Sequence, residues 1–183
     1  MMNEDVSLST WMVVEDEPDI YDVLLAMFEI WGIEGIAFVD GGEAVSWIED
    51  VDKGAITSEL PELALLDIRV PEIPGPEVGA RLRKSGRLGQ MAIVLITAHR
   101  LNRDEEDQVK QLAQADALIY KPLPPMPELR KILATIIEKR KSKTHSAKPP
   151  TLGHPPPPAT ESPLGKSEGI KPDGNSPSRS DRI

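Results

Sequence analysis

The sequence predicts an α/β domain built on a doubly wound parallel sheet, and three observations carry that expectation. Trp11-Met12-Val13-Val14, Leu63-Ala64-Leu65-Leu66 and Met91-Ala92-Ile93-Val94-Leu95-Ile96 are short apolar runs without polar alternation, the pattern of strands covered on both faces. Segments with apolar residues at three- and four-residue steps alternate with them. Each run also ends on a polar residue followed by a loop. Since a parallel crossover needs a helix and is right-handed, five strands alternating with five helices wind helices onto both faces of one sheet.

The elements follow in order. Residues 1–9 form a polar N-terminal arm, and the first strand is Trp11 to Val14. Pro18 suits the first turn of helix 1, whose inward stripe is Ile20, Val23, Leu24, Met27, Phe28 and Trp31, and Gly32 ends it. Ile33 to Val39 supplies strand 2. Asp40-Gly41-Gly42-Glu43 has capping-box spacing for helix 2, which runs through Ala44, Val45 and Ile48, and 53–61 is a loop. After strand 3, Pro71 to Pro76 makes a rigid connector. Helix 3 turns Val78 and Leu82 inward and stops at Gly86. Strand 4 is Ala92 to Thr97. Helix 4, about Asn102 to Gln114, offers only Val109, Leu112 and Ala113 as an apolar face, so its hold on the domain is expected to be marginal. Strand 5 is Ala117 to Tyr120, and helix 5 packs through Leu129, Ile132, Leu133, Ile136 and Ile137 before fading into Lys139-Arg140-Lys141.

Composition sets the outer limits. The chain has 183 residues, of which residues 10–140 are enough for one domain with a real core. Residues 141–183 hold nine of the eighteen prolines and few aliphatics, so a disordered Pro-rich tail is expected there. That tail has seven Lys or Arg against four acids, which leaves fourteen against twenty-six in residues 1–140. So acidic a domain repels phosphate backbones, and direct nucleic-acid binding is not expected. Cysteine is absent, which excludes disulfides and thiolate metal sites. The apolar runs are strand length and the amino terminus is acidic, so no membrane association and a cytoplasmic location are expected.

Function is concentrated at the strand ends. Asp67 follows the third apolar run, Glu15 and Asp16 the first, Thr97 the fourth and Lys121 the fifth. In an open parallel sheet these tips face one crevice, where loops converge on a rigid frame. Each residue alone has a bland explanation: acids suit a helix's first turn, Thr a strand and Lys a surface. Together, in order, at four strand tips, they read as a site.

This set resembles the receiver domain of two-component response regulators, over roughly residues 8–140. An acidic pair after strand 1, an Asp after strand 3, Thr-Ala after strand 4 and Lys-Pro after strand 5 carry the resemblance. It implies a flavodoxin-like strand order 2-1-3-4-5. It also implies that Asp67 is the phosphoacceptor nucleophile, and that a histidine kinase or histidine phosphotransfer protein is the donor. Crowded carboxylates call for a hard cation, and Mg²⁺ suits an all-oxygen site. Asp16 and Asp67 are the expected direct ligands, Glu15 acts directly or through water, and by resemblance the backbone carbonyl of Arg69 completes the metal set. Lys121 and Thr97 would contact the transferred phosphoryl group, with the Ala98 amide an added donor by resemblance. A downstream protein target would be engaged through the helix 4, strand 5 and helix 5 face.

The departures matter as well. Leu118 stands where the family has a rotating aromatic residue, which puts aromatic gating in doubt. Gln114 stands where Gly is usual, and Arg69 and His99 fill two variable positions flanking the phosphoryl group. The competing readings are a receiver-like binding module that has lost phosphorylation and an aspartate-nucleophile phosphatase. The latter wants a second Asp two residues after the nucleophile, where this chain has Arg69.

Overall fold

A computed structural model describes residues 9–146. The element order is β1 (Thr10–Val14), α1 (Pro18–Trp31), β2 (Glu34–Phe38), α2 (Gly41–Asp52), β3 (Leu63–Asp67), α3 (Gly75–Lys84), β4 (Ala92–Thr97), α4 (Arg103–Ala113), β5 (Ala117–Tyr120) and α5 (Met126–Ser146). All five strands are parallel and lie in the order β2-β1-β3-β4-β5. This is the flavodoxin-like arrangement that the family resemblance implies.

Strand alternation divides the core into two layers. Met12, Val14, Ala64, Leu66, Ile93 and Leu95 point to one face, where Val45, Ile48 and Val51 of α2 and Val78 and Leu82 of α3 meet them. Trp11, Val13, Leu63, Leu65, Val94 and Ile96 point to the other, against Leu24 and Phe28 of α1 and Leu129, Leu133 and Ile137 of α5. Central strands β1, β3 and β4 are buried at every position, which is why their sequences show no polar alternation. Burying each such Leu, Val or Phe side chain contributes about 1.5–3 kcal/mol, so the three central strands anchor the frame on which the loops sit.

Helix ends mostly follow the sequence signals. Gly32 takes the left-handed conformation at φ 70° after α1, and Asp40 caps α2 by accepting a hydrogen bond from the Glu43 N–H at 2.8 Å. Two expectations, on the ends of α3 and α5, need correction. Helix α3 ends at Lys84 with extended Ser85 as its cap, not at Gly86. Ser85 stops it because its hydroxyl accepts from the N–H groups of Arg87 and Leu88 and donates to Asp52 at 2.6 Å. Helix α4 has only Ala113 fully buried, as its weak stripe suggests, yet its start is defined by a capping box in which Asn102 and Glu105 exchange hydrogen bonds. Helix α5 runs past the boundary expected at 140 to Ser146, where Lys141 pairs with Glu62 at 2.9 Å. No Gly or Pro interrupts residues 127 to 146 after Pro127, so nothing in that stretch stops the helix. The proposed tail from 147 and the arm up to residue 8 lie outside the described residues. Among the described residues no helix is long and apolar enough to cross a membrane.

Two features near α4 were not anticipated. The guanidinium of Arg83, almost wholly buried, donates to the carbonyls of Gly89 and Gln114 at 3.0 Å and to Asp116 Oδ2 at 3.0 Å, tying α3 to the approach of β5. Gln114, the departure from Gly, adopts the left-handed conformation at φ 47° and ψ 46° as the cap of α4. A side chain in that region costs about 1 kcal/mol or more relative to glycine. Gln114→Gly is therefore expected to raise stability by about 1 kcal/mol, read as a higher denaturation midpoint at unchanged slope; a lower midpoint would refute the strain argument.

Candidate functional site

The carboxyl ends of β1, β3 and β5 bring Glu15, Asp67 and Lys121 together. Asp67 is the last residue of β3, so its position is set by pairing with Ile96 of β4. One carboxylate oxygen, Oδ1, accepts from the Arg69 N–H at 2.7 Å, and the other, Oδ2, accepts from the Lys121 ammonium at 2.5 Å. Glu15 follows β1 and is fully buried; its Oε1 accepts from the Glu17 N–H at 3.1 Å, and its Oε2 lies 2.8 Å from Lys121 Nζ. Lys121 follows β5, its own N–H donating to the Thr97 carbonyl at 2.8 Å, and the Lys121–Pro122 peptide is cis. A third carboxylate, Glu17, reaches the same ammonium at 2.8 Å.

Thr97 closes β4 and is buried, with its Oγ accepting from the His99 N–H at 3.1 Å. Its register partner is Tyr120, the residue before Lys121. Asp16, expected as a direct metal ligand, is exposed and lies outside the group of carboxylates that converge. Glu17 stands in that group instead: ligand oxygens of Glu15, Glu17 and Asp67 all lie within 4.8 Å of one another. The reason is local. Glu17 is the N-cap residue of α1 and its N–H is held by Glu15 Oε1, which keeps it beside the buried carboxylates, whereas Asp16 is exposed. Arg69 meets Asp67 through its N–H.

Charge at the site follows from burial. Desolvation pushes the Glu15 carboxyl above its ordinary value of 4.5, and the nearby Asp67 charge adds to this, against the opposing pull of Lys121 and the Glu17 N–H. Burial alone would push the Lys121 amine down. Its close pairing with the carboxylates of Asp67, Glu15 and Glu17 outweighs that, and the net direction is upward, so the ammonium stays charged.

The donor set suits a hard cation. Glu15 Oε2 is buried without a hydrogen-bond partner, because the Lys121 ammonium beside it is close but not aligned as a donor. An orphaned buried carboxylate oxygen among three converging carboxylates, with no nitrogen or sulfur donor, fits Mg²⁺.

Gly75 is a site residue the sequence reading missed. It opens α3 with its N–H on the Ile68 carbonyl at 3.3 Å, and a Cβ on it would lie 2.0 Å from the Asp67 carbonyl oxygen. Only glycine lets the helix start this close behind the acceptor aspartate. The available signal was its place in Pro74-Gly75-Pro76, which was read only as a connector.

Beside Tyr120 and Lys121, a cavity of about 420 Å³ is lined by Ala98, Arg100, Leu101 and Glu106. The Tyr120 hydroxyl donates to Glu106 of α4 across it.

The fold is thus a five-stranded doubly wound sheet that gathers acids around a lysine at its carboxyl edge. The family model "Response regulator receiver domain" matches residues 11–134, and the chain belongs to that family. Among curated relatives, the polar-differentiation response regulator DivK of Brucella anthropi is 30% identical over 112 residues, covering 61% of this chain and 83% of that protein. Among solved structures, a CheY-like receiver domain protein from Methanospirillum hungatei JF-1 superposes with a TM-score of 0.60 at 26% identity, covering 75% of this chain and 99% of that one. The receiver domain of the sensor histidine kinase PA1611 from Pseudomonas aeruginosa PAO1 has a TM-score of 0.60 at 25% identity, covering 72% of this chain and 99% of its own. That structure has a magnesium ion coordinated in its active site cleft.

Proposed function

We propose that the chain is a phosphorelay response regulator that accepts a phosphoryl group on Asp67 from a histidine kinase or a histidine phosphotransfer protein, in the cytoplasm. The observation that carries this reading is the Asp67 carboxylate itself. One oxygen is fixed by the Arg69 N–H, and the other lies against a charged lysine in a buried acidic cluster.

Asp67, Asp16 and Glu15, with the Arg69 carbonyl, would hold Mg²⁺, which when bound would supply positive charge against the oxygens of the arriving phosphoryl group. Asp16 would have to turn inward from its exposed position to join this set. Asp67 supplies the nucleophile: one of its oxygens bonds to phosphorus as the bond from phosphorus to the donor's imidazole nitrogen breaks, and the electron pair leaves with the imidazole. Lys121 pairs with the negative phosphoryl oxygens, and Thr97 and the Ala98 N–H donate to them.

The phosphoryl group adds nearly two negative charges, and Thr97 moving toward it frees space for α4 and β5 to repack. A protein target would then read the α4, β5 and α5 face. The domain acts on itself and turns over no separate substrate.

The test is incubation with Mg²⁺ and a small acyl phosphate, read by intact mass. The wild type gains one phosphate, and Asp67→Asn gains none. A wild type of unchanged mass would favour the receiver-like binding module, the reading to which Leu118 in place of an aromatic points.

A further inference from the structure

The Lys121 ammonium has three N–H donors and three carboxylates around it, and the third, Glu17, converges with the others but is not among the magnesium ligands or phosphoryl-transfer groups proposed above. Glu15 and Asp67 are buried, whereas the Glu17 side chain is 57% exposed. Its backbone is nevertheless fixed. The Glu17 carbonyl accepts from the N–H groups of Ile20 and Tyr21 at the start of α1, and its own N–H is held by Glu15. A rigidly placed residue thus holds a solvent-facing carboxylate on the lysine that faces the acceptor aspartate.

We propose that the Glu17 carboxylate is a displaceable stand-in for a phosphoryl oxygen, occupying the donor on Lys121 that the phosphorylated Asp67 needs and so slowing phosphorylation. The inference rests on the reading of Asp67 as phosphoacceptor.

Two arguments support it. Three carboxylate oxygens already lie within 2.8 Å of the ammonium, those of Glu17 and Asp67 as hydrogen-bond acceptors and that of Glu15 as an ion pair, so a phosphoryl oxygen brought to Lys121 has to take the place of one of them. Glu17 leaves at least cost, since its carboxylate regains water, while Glu15 would stay buried with an unpaired charge and Asp67 is joined to the phosphoryl group itself. Second, the three carboxylates against one ammonium give the crevice net negative charge, which repels an anionic phosphodonor. In the step itself, an Asp67 oxygen bonds to phosphorus, the bond from phosphorus to the donor's acyl oxygen breaks, and the donor leaves as a carboxylate carrying the electron pair. Glu17 only yields its place.

The experiment uses the full chain as wild type, Glu17→Gln, Lys121→Met and the double variant. Mg²⁺ affinity is measured by calorimetry, and phosphate uptake from a small acyl phosphate is followed by mass at saturating Mg²⁺. Glu17→Gln is expected to take up phosphate roughly two- to fivefold faster, the size expected for releasing one exposed ion pair, with Mg²⁺ affinity reduced less than about threefold. In the Lys121→Met background the acceleration disappears.

An unchanged or slower Glu17→Gln overturns the proposal. So does a loss of Mg²⁺ affinity beyond about tenfold, which would make Glu17 a cation ligand, and so does an acceleration that persists in full without Lys121, which would mean general repulsion alone. A wild type that takes up no phosphate removes the phosphoacceptor reading and this inference with it. Uptake by the wild type with no Glu17 effect removes the inference alone.

Discussion

Lys121→Met is expected to lower stability near neutral pH by about 3–5 kcal/mol and to slow phosphate uptake at least about a hundredfold. The ammonium is almost wholly buried and faces Glu15, Glu17 and Asp67, so its removal strands two buried carboxylates with no opposite charge. The pH dependence has a definite sign. The folded Glu15 already binds its proton more readily than the ordinary value of 4.5, and loss of the lowering effect of Lys121 pushes it further in that direction. In that range the folded state holds more protons than the unfolded, so the variant loses stability as pH rises from 4.5 through the new folded value. Wild-type Lys121 works in the opposite sense at the other end of the scale. Its raised value means its contribution is complete below the unfolded value of 10.5 and fades as pH climbs through the higher folded one. Melting temperature against pH for both proteins reads the effect. A Lys121→Met protein no less stable at pH 7 than at pH 5, relative to wild type, would show that the carboxylates do not depend on it.

Gly75→Ala is expected to cost about 2–3 kcal/mol and more than tenfold in phosphate uptake. The new methyl would sit 2.0 Å from the carbonyl oxygen of Asp67, a backbone atom with no soft direction in which to yield. Either α3 or the end of β3 must shift, and the second moves Asp67 off the Arg69 N–H and Lys121. Misplacing a reacting group by about 1 Å can cost a hundredfold, so the uptake rate is the sensitive readout. Gly79→Ala separates packing from placement. Its methyl would press on the Ala113 side chain at 2.7 Å, remote from Asp67, so it should lower stability while leaving uptake close to wild type.

Strands and helices were legible where burial is symmetric or the stripe is strong. The uninterrupted apolar runs of β1, β3 and β4 and the bounds of β4 and β5 follow from composition alone. Strand β2 is one residue shorter at each end than the expected Ile33 to Val39, because at the sheet edge its single neighbour β1 pairs with Glu34 to Phe38. Strand order came only through the family resemblance, since periodicity carries no information on neighbours. At the site, Glu15, Asp67 and Lys121 could be named because each ends a strand. Glu17 could not, since its place depends on how a turn folds back, and an acid before a helix explains itself without a site. Gly75 escaped notice for a related reason: the close approach it permits is between segments that only the folded chain brings together. The buried network of Arg83 was hidden likewise, as an arginine near a helix end reads as a surface cation until its carbonyl partners are known.

Helix α4 is moored at one end. Ala113 is its only fully buried residue, pressed against Gly79 of α3, while the first turn at Asn102 to Glu106 carries its own capping box and meets the sheet through the Tyr120 hydroxyl. Were the Tyr120–Glu106 bond released, such a rod would pivot about its buried end, and the capped tip would travel furthest. The tip lies next to the loop after Thr97, so a hydroxyl displaced by a fraction of an ångström has a long lever to push. The capped first turn lets that lever travel without unravelling.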